Sequence, residues 1–338
     1  KTKQGDHKIM KKDYDICVIG AGPGGYVAAI RAGHLGAKVA LIEKDFPGGT
    51  CLNWGCIPTK TLIASTDVLK TAREASSFGV NIEGNIKPDW PAMLKRKNDV
   101  VGKLRSGIMS LLKAAKVEFV EGSAEFTEKK KIKVSNKSSK SVELKCDKVI
   151  IASGSEPAYP TFIPKSDRIL TSTELLEIKE IPKSLIILGG GVIGCEFASM
   201  FAALGTDVTI VEMLPQILAM TDLEISKLQT REMKAAGIKI ETGKKVEKVS
   251  LEKDLVVCKT ADDEYKATHM LVAVGRKPVS SKMRIEKAQI KSDEKGFIRV
   301  DDKCRTSVPG IFAIGDVTGR IQLAHLASAM GVCAAENA

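Results

Sequence analysis

The sequence predicts an α/β chain built twice on one plan, and three observations carry the prediction. Residues Asp15–Lys44 (DICVIGAGPGGYVAAIRAGHLGAKVALIEK) and Ser184–Met213 (SLIILGGGVIGCEFASMFAALGTDVTIVEM) align without a gap. Their glycines coincide: Gly20 with Gly189, Gly22 with Gly191, Gly25 with Gly194, Gly36 with Gly205. Each segment runs from a short apolar strand through a GxGxxG turn into an Ala-rich helix of 3.6 period, then a second strand ending in Glu. Two β-α-β units are the expected product of an internal duplication.

Each unit is shaped for a dinucleotide. The first Gly allows a tight turn, the second lets backbone approach a pyrophosphate, and the third lets helix and strand pack closely. The phosphates then meet unpaired N–H groups and the positive end of the helix dipole. Glu43 and Glu212 each lie eighteen positions after the third Gly, placed to accept from ribose hydroxyls. A lone GxGxxG also describes an ordinary tight turn. Two copies, each with its strand before and its acid after, describe two bound dinucleotides.

The remaining elements follow in order. Helices are expected over about Thr59–Phe78 and Pro91–Lys116, then a β-meander broken by a hairpin loop at Ser135–Ser141 (SNKSSKS). A strand, Asp147–Pro157, leads to the second unit; a helix near Asp222–Ala236 and a second meander come after it. HMLVAVGRKP (His269–Pro278) repeats the plan of Val149–Pro157, and GIFAIGD (Gly310–Asp316) leads into a helix running to Ala338. The expected fold is therefore two Rossmann-like dinucleotide-binding domains, the second inserted in the first, each with a β-meander.

Composition narrows the class. With 338 residues, 43% hydrophobic and 28% charged, the chain has room for two or three cores and is no disordered, collagen-like or coiled-coil protein. No apolar run reaches the roughly 18 residues of a membrane span, and no signal peptide is visible. Aromatics at 4% argue against stacking platforms for single-stranded nucleic acid. The formal charge of +11 comes from dispersed lysines and two local runs. Lys1, Lys3, Lys8, Lys11 and Lys12 read as a tail; Lys129, Lys130, Lys131 and Lys133 read as a solvent-facing hairpin. Neither a nucleic acid nor a membrane is an expected partner. Of eight cysteines, Cys17, Cys146, Cys195, Cys258, Cys304 and Cys333 lie singly and read as small buried thiols.

Cys51 and Cys56 are different. They sit four residues apart in GGTCLNWGCIPTK (Gly48–Lys60), where Gly55 and Pro58 punctuate a helix start. A metal site needs further ligands at defined spacing, and the other cysteines and the four histidines supply none, so no metal is expected. A structural disulfide is the other plain reading, disfavoured in a reducing compartment. The chemical reading is a redox dithiol beside a flavin. At a helix N-terminus the dipole stabilises a Cys56 thiolate, which can donate electron density to the ring, while Cys51 is the sulfur that exchanges with substrate.

The order of motifs then resembles a known family over the whole chain. The dinucleotide unit, GGTCLNWGCIPTK, ASGS, GGGVIGCE, VAVGRKP, GIFAIGD and QLAHLASAMG follow the plan of the flavin-dependent pyridine nucleotide–disulfide oxidoreductases. The Leu-Asn-Trp and Ile-Pro-Thr-Lys spelling is closer to the lipoamide-oxidising branch than to glutathione or mercuric reductases. The resemblance implies FAD held by Gly20, Gly22, Gly25, Glu43, Lys44, Gly49, Thr50, Cys51, Lys60 and Gly122. Ser153, Gly154, Ser155 and Asp316 complete that set, with Gln322, Leu323, Ala324 and His325 capping the flavin edge. It implies NAD held by Gly189, Gly190, Gly191, Val192, Ile193, Gly194, Cys195, Glu196, Glu212, Val246 and Gly275. Glu212 favours NAD over NADP, since a carboxylate repels a 2′-phosphate and TIVEMLPQ offers no arginine. Catalytic roles fall on the Cys51–Cys56 disulfide and on Lys60 paired with Glu196 beside the flavin.

On this resemblance the chain divides into a basic tail or linker (1–12), a FAD-binding domain (13–155 and 276–338) and an inserted NAD-binding domain (156–275). The implied activity is NAD-dependent oxidation of protein-bound dihydrolipoamide. Partners would be lipoyl domains of 2-oxoacid dehydrogenase complexes or of the glycine cleavage system, in the bacterial cytoplasm or mitochondrial matrix. Family members continue for roughly a hundred residues, the size of a small domain, into an interface domain whose His–Glu pair serves the partner subunit of a homodimer. This chain is expected to lack that domain and to be inactive with dihydrolipoamide. Of its histidines, His325 belongs to the flavin cap, and His7, His34 and His269 match nothing catalytic. Another NAD(P)H-dependent disulfide reductase, or a non-catalytic FAD- and NAD-binding module, are the alternatives.

Overall fold

The computed structural model describes residues 10–136 and 141–338. Most of the expected basic tail (1–9) and the tip of the expected Ser135–Ser141 loop lie outside the described residues. The first unit is β1 (Met10–Ile19), α1 (Pro23–His34) and β2 (Val39–Glu43). All of β2 is buried, as a parallel strand covered on both faces requires. Then come α2 (Gly49–Trp54), α3 (Cys56–Arg73) and α4 (Trp90–Ala114). α3 begins earlier than expected because Pro58 stands in its first turn, where a missing N–H breaks no bond. It also ends earlier, at Arg73; Ala75–Phe78 is a separate 3₁₀ turn closed by left-handed Gly79.

β3 (Glu118–Glu121) adds to β2, and the first meander then comprises β4 (Ser123–Glu128), β5 (Lys131–Ser135) and β6 (Ser141–Ile151), with Lys129 and Lys130 exposed at the β4–β5 turn. Short β7 (Ser155–Pro157), β8 (Ile169–Leu170) and α5 (Ser172–Leu175) lead to the second unit: β9 (Ser184–Leu188), α6 (Val192–Ala203) and β10 (Asp207–Val211). α7 (Leu223–Ala235), β11 (Lys239–Glu241), the meander β12 (Lys248–Glu252), β13 (Leu255–Lys259) and β14 (Glu264–Ala267), and β15 (His269–Val272) follow. The chain closes with β16 (Arg276–Pro278), β17 (Ile311–Ala313) and α8 (Ala324–Asn337).

The duplication is visible in the strand order. One sheet runs β3-β2-β1-β6, with β17 also on β6, all parallel. The other runs β11-β10-β9-β15-β8, again all parallel. β6 serves twice. Ser141–Lys145 pair antiparallel with β5, and Val149–Ile151 pair parallel with β17. The second sheet's strands fall in sequence between β6 and β17, so one Rossmann-like fold is inserted in the other.

The chain packs as two compact units. The first takes residues up to Asn53, Gly102–Glu156 and Lys277–Ala338; the second takes Trp54–Val101 and Pro157–Arg276. In the first, Cys17, Ile42, Phe126, Ile132, Leu144, Ile285 and Ile298 share one core. α8 lies on α1 so tightly that a Cβ at Gly331 would come within 2.5 Å of Gly24 O, and Arg31 pairs with Glu336 beside it. In the second, Leu62, Trp90, Phe197 and Phe201 pack with the sheet, and fully buried Lys97 is satisfied by Leu176 O (2.9 Å) and Glu177 Oε1 (2.6 Å). Among the described residues no helix is long and apolar enough to cross a membrane.

Candidate functional site

In the first unit, the turn after β1 is fixed by backbone geometry that only glycine supplies. Gly20 has φ +100°, and a Cβ there would lie 2.3 Å from Ala152 O; one on Gly25 would lie 1.8 Å from Gly20 O. α1 therefore starts against the strand end with Gly22 as an extended cap and no side chain over its first N–H groups. The segment 46–53 folds over this turn: Gly48 N donates to Ala21 O (2.8 Å), and a Cβ on Gly49 would meet Gly22 Cα at 2.5 Å. Glu43 is 9% exposed and accepts from Ala21 N (2.8 Å), Lys44 N (2.9 Å) and Asp45 N (3.0 Å). Its carbonyl accepts from Gly122 N (2.8 Å), which brings that glycine to the end of β2.

The end of β6 and the start of α8 complete this face. Ser155 Oγ donates to Asp316 Oδ2 at 2.5 Å, and Val279 N donates to Gly154 O at 3.0 Å. Ser153 Oγ is buried with no hydrogen-bond partner. Gln322, Leu323 and His325 are exposed around the first turn of α8, with Ala324 half-buried between them. Thr50 and Cys51 are half-buried in α2. Tyr26 was not anticipated from sequence: burial, and then nearby Cys51, push its phenol above the ordinary value. Asn53 and Arg105 were also missed. Asn53 Nδ2 donates to Pro47 O (3.1 Å) and Gly49 O (2.8 Å), while Arg105 hydrogen-bonds Asn53 Oδ1 and stacks 3.9 Å over Phe46. Nothing in the local pattern around Arg105 announces that role, because its partners lie some fifty residues away.

In the second unit the same turn recurs. Gly189 has φ +110°, with a Cβ position 2.5 Å from Ala273 O; a Cβ on Gly194 would lie 2.1 Å from Gly189 O. A Cβ on Gly191 would meet nothing within 4 Å, so the space ahead of α6 is open. Glu212, 9% exposed, accepts from Gly190 N (2.6 Å) and Leu214 N (2.7 Å). Lys244, unforeseen, donates its backbone N–H to Glu212 O (2.9 Å), and its ammonium is held 2.5 Å from Asp263. Val192 is exposed and Ile193 half-buried at the helix start, Val246 is buried, and Gly275 accepts from Ala158 N at 2.9 Å. Buried Cys195 donates to Gly190 O (3.4 Å); burial first, then Glu212 and Glu196, push its thiol up to about 12. It is a packing residue that fastens the turn.

Cys56 is the first residue of α3, after Gly55, which offers no side-chain cap. One turn on, Lys60 Nζ lies 2.5 Å from Glu196 Oε1, and both side chains remain partly exposed. A dithiol residue at an uncapped helix end and a cation held by a carboxylate can bind and exchange electron-rich groups. Among the described residues no cluster of three or more His, Cys, Asp or Glu could hold a metal.

The family model for pyridine nucleotide-disulphide oxidoreductases matches residues 14–331. The chain belongs to that family. It is 42% identical over 328 residues to the dihydrolipoyl dehydrogenase of Chlamydia pneumoniae, covering 97% of this chain and 70% of that protein. It is 40% identical over 327 residues to the dihydrolipoyl dehydrogenase of Bacillus subtilis (strain 168), covering 96% and 71%. Among solved structures, the HOCl-induced flavoprotein disulfide reductase RclA from Escherichia coli superposes with a TM-score of 0.82 at 32% identity, over 94% of this chain and 69% of that one. As a family member the chain is an oxidoreductase that uses FAD and NAD. The residues fit these groups. Buried Ser153 Oγ needs a partner, and both helices start with no side-chain cap at Gly22 and Gly191, where the space is open.

Proposed function

We propose that this oxidoreductase is a dihydrolipoyl dehydrogenase, with FAD held around the Gly20–Gly25 turn, Glu43, Ser153–Ser155 and Asp316, and NAD around the Gly189–Gly194 turn and Glu212. The observation that carries the substrate is the identity of 42% to a dihydrolipoyl dehydrogenase over nearly the whole chain, with the Gly48–Lys60 segment intact. Cys51 and Cys56 are the redox pair. Bound FAD supplies the two-electron relay between thiols and nicotinamide. The chain's own residues do the rest. Cys51 exchanges with the lipoyl sulfur: a dihydrolipoyl thiolate attacks Cys51 Sγ, the mixed S–S bond forms as the Cys51–Cys56 bond breaks, and Cys56 leaves as a thiolate. Cys56, at the uncapped start of α3, is the thiolate the helix dipole favours. Lys60, held by Glu196, places a positive charge near the reacting groups. Glu212 selects NAD. Lipoyl domains of 2-oxoacid dehydrogenase complexes are the partners, in a compartment that keeps the other thiols reduced.

The 338-residue chain by itself carries the nucleotide half of the reaction and little dihydrolipoamide turnover. His34 ends α1, His269 sits half-buried in β15 with burial lowering its basicity, and His325 caps the flavin site. None is placed as the base for a thiol, whose loss costs about 10²–10⁴-fold.

The test traps the exchange step. In Cys56→Ser, oxidised lipoamide should leave a mass adduct on Cys51, and the adduct should be absent from Cys51→Ser. Cys51→Ser should still reduce dyes with NADH. An adduct with glutathione disulfide but none with lipoamide would identify a different reductase. Dihydrolipoamide oxidation near 10 s⁻¹ by the chain alone would show that one of its own groups is the base.

A further inference from the structure

Four of the six cysteines outside the redox segment lie beside another cysteine in the fold. In the first unit, Cys304 Sγ points at Met330 O (3.7 Å), one turn before Cys333 on α8. Cys333 Sγ in turn points at Asp302 O (3.7 Å), two residues before Cys304. Each thiol thus contacts the backbone that carries the other. The turn holding Cys304 is built: Asp301 Oδ1 accepts from Lys303 N (2.9 Å) and Arg305 N (2.8 Å), and Cys304 N donates to Asp301 O (3.0 Å). Cys304 adopts φ +59°, an unfavourable conformation for a side-chain-bearing residue that these bonds enforce. Burial, then Cys333, push the Cys304 thiol up to about 12, with the Arg320 guanidinium opposing them. Cys304 is 2% exposed, whereas Cys333 is half-buried and open to small reagents.

A second pair sharpens the comparison. Cys17 on β1 and Cys146 on β6 also share one core cluster, yet are 0% and 2% exposed. They have proximity without access.

We propose that Cys304 and Cys333 form a second redox dithiol, separate from Cys51 and Cys56, that closes to a disulfide when a peroxide reaches Cys333. The Cys333 sulfur attacks the peroxide: an S–O bond forms, the O–O bond breaks, and the thiol proton leaves with the departing oxygen as water. The Cys304 sulfur then attacks Cys333: the S–S bond forms, the S–O bond breaks, and hydroxide takes the Cys304 proton as a second water. Two thiols lose two electrons and hydrogen peroxide gains them. The product ties α8 to the Asp301–Arg305 turn. Since α8 packs on α1 and begins at Ala324 and His325, the staple fixes the helix that borders the first unit's site.

The experiment treats the FAD-loaded chain with hydrogen peroxide, alkylates it in denaturant, and digests it with trypsin without reduction. Cleavage after Lys303, Arg305 and Arg320 should release Cys304–Arg305 joined to Ile321–Ala338. The joined peptide should persist in the Cys51→Ser/Cys56→Ser variant and vanish in Cys333→Ser, whose Cys304 should be alkylated. Cys17 and Cys146 should remain alkylatable throughout. The proposal is overturned if Cys304 stays alkylatable after a peroxide dose that has fully oxidised Cys51 and Cys56. It is equally overturned if Cys304 is joined to any other cysteine, or if Cys17 and Cys146 oxidise with it, which would mark unfolding.

Discussion

Replacing Gly194 by Ala asks whether the two nucleotide turns work as separate devices. The added methyl would stand 2.1 Å from Gly189 O and 3.2 Å from Ile187 Cγ2, where ordinary contact begins at 3.4 Å. Neither neighbour yields easily, since Gly189 is pinned by its N–H to Val211 O (2.9 Å) and Ile187 is a fully buried strand residue. α6 must therefore retreat by more than 1 Å from the strand end. Overpacking of this kind costs about 1–3 kcal/mol of stability, and an ångström of displacement at a positioning group costs about 100-fold in rate. The twin substitution, Gly25→Ala, meets Gly20 O at 1.8 Å and should be at least as severe. The assay pairs two readouts on each purified variant: the visible spectrum of bound flavin and NADH-dependent dye reduction. Gly194→Ala should keep its flavin and lose about 100-fold in kcat/KM for NADH, whereas Gly25→Ala should purify without flavin. A folded Gly194→Ala within about threefold of the parent would refute the assignment of this turn to NAD.

Three further outcomes are expected. Glu212→Ala removes the acceptor of two backbone donors at 2.6 and 2.7 Å, each costing about 1–3 kcal/mol when orphaned. NADH titrations should weaken, and a preference over NADPH of more than about tenfold should narrow; a parent protein binding both equally would contradict the role given to Glu212. Glu196→Gln breaks a pair whose lysine side chain is 56% exposed, so it should change stability by less than about 1 kcal/mol while slowing flavin reduction by NADH. A large fall in Tm with an unchanged rate would make that pair structural instead. Native Cys195, raised from 9.0 to about 12, should resist iodoacetamide at mildly alkaline pH and react only in denaturant. Because its folded value lies above the unfolded one, the stability from burying the neutral thiol is complete below about pH 9 and is lost as pH rises towards 12.

The duplicated plan, the two turns and the Gly48–Lys60 segment were legible in the sequence because each depends on local rules. A positive φ demands glycine, a covered parallel strand demands an apolar run, and a helix start tolerates proline within its first turn. Gly20, Gly189, β2 and Pro58 are all where those rules put them. Burial of the Gly25 and Gly194 positions against the preceding strand follows from the same spacing. Tertiary structure decided what distance along the chain conceals. Arg105 reaches Asn53 and Ser155 meets Asp316 across 52 and 161 residues, while the Lys60–Glu196 pair, 136 residues apart, was expected only through the family resemblance. The pairing of Cys304 with Cys333 belongs to the same class, since periodicity describes which face a thiol occupies but not which strand, turn or helix is folded opposite it. Local sequence determines backbone conformation through short-range sterics; the partner of a side chain is set only when the sheet order and helix packing bring remote segments to the same few ångströms.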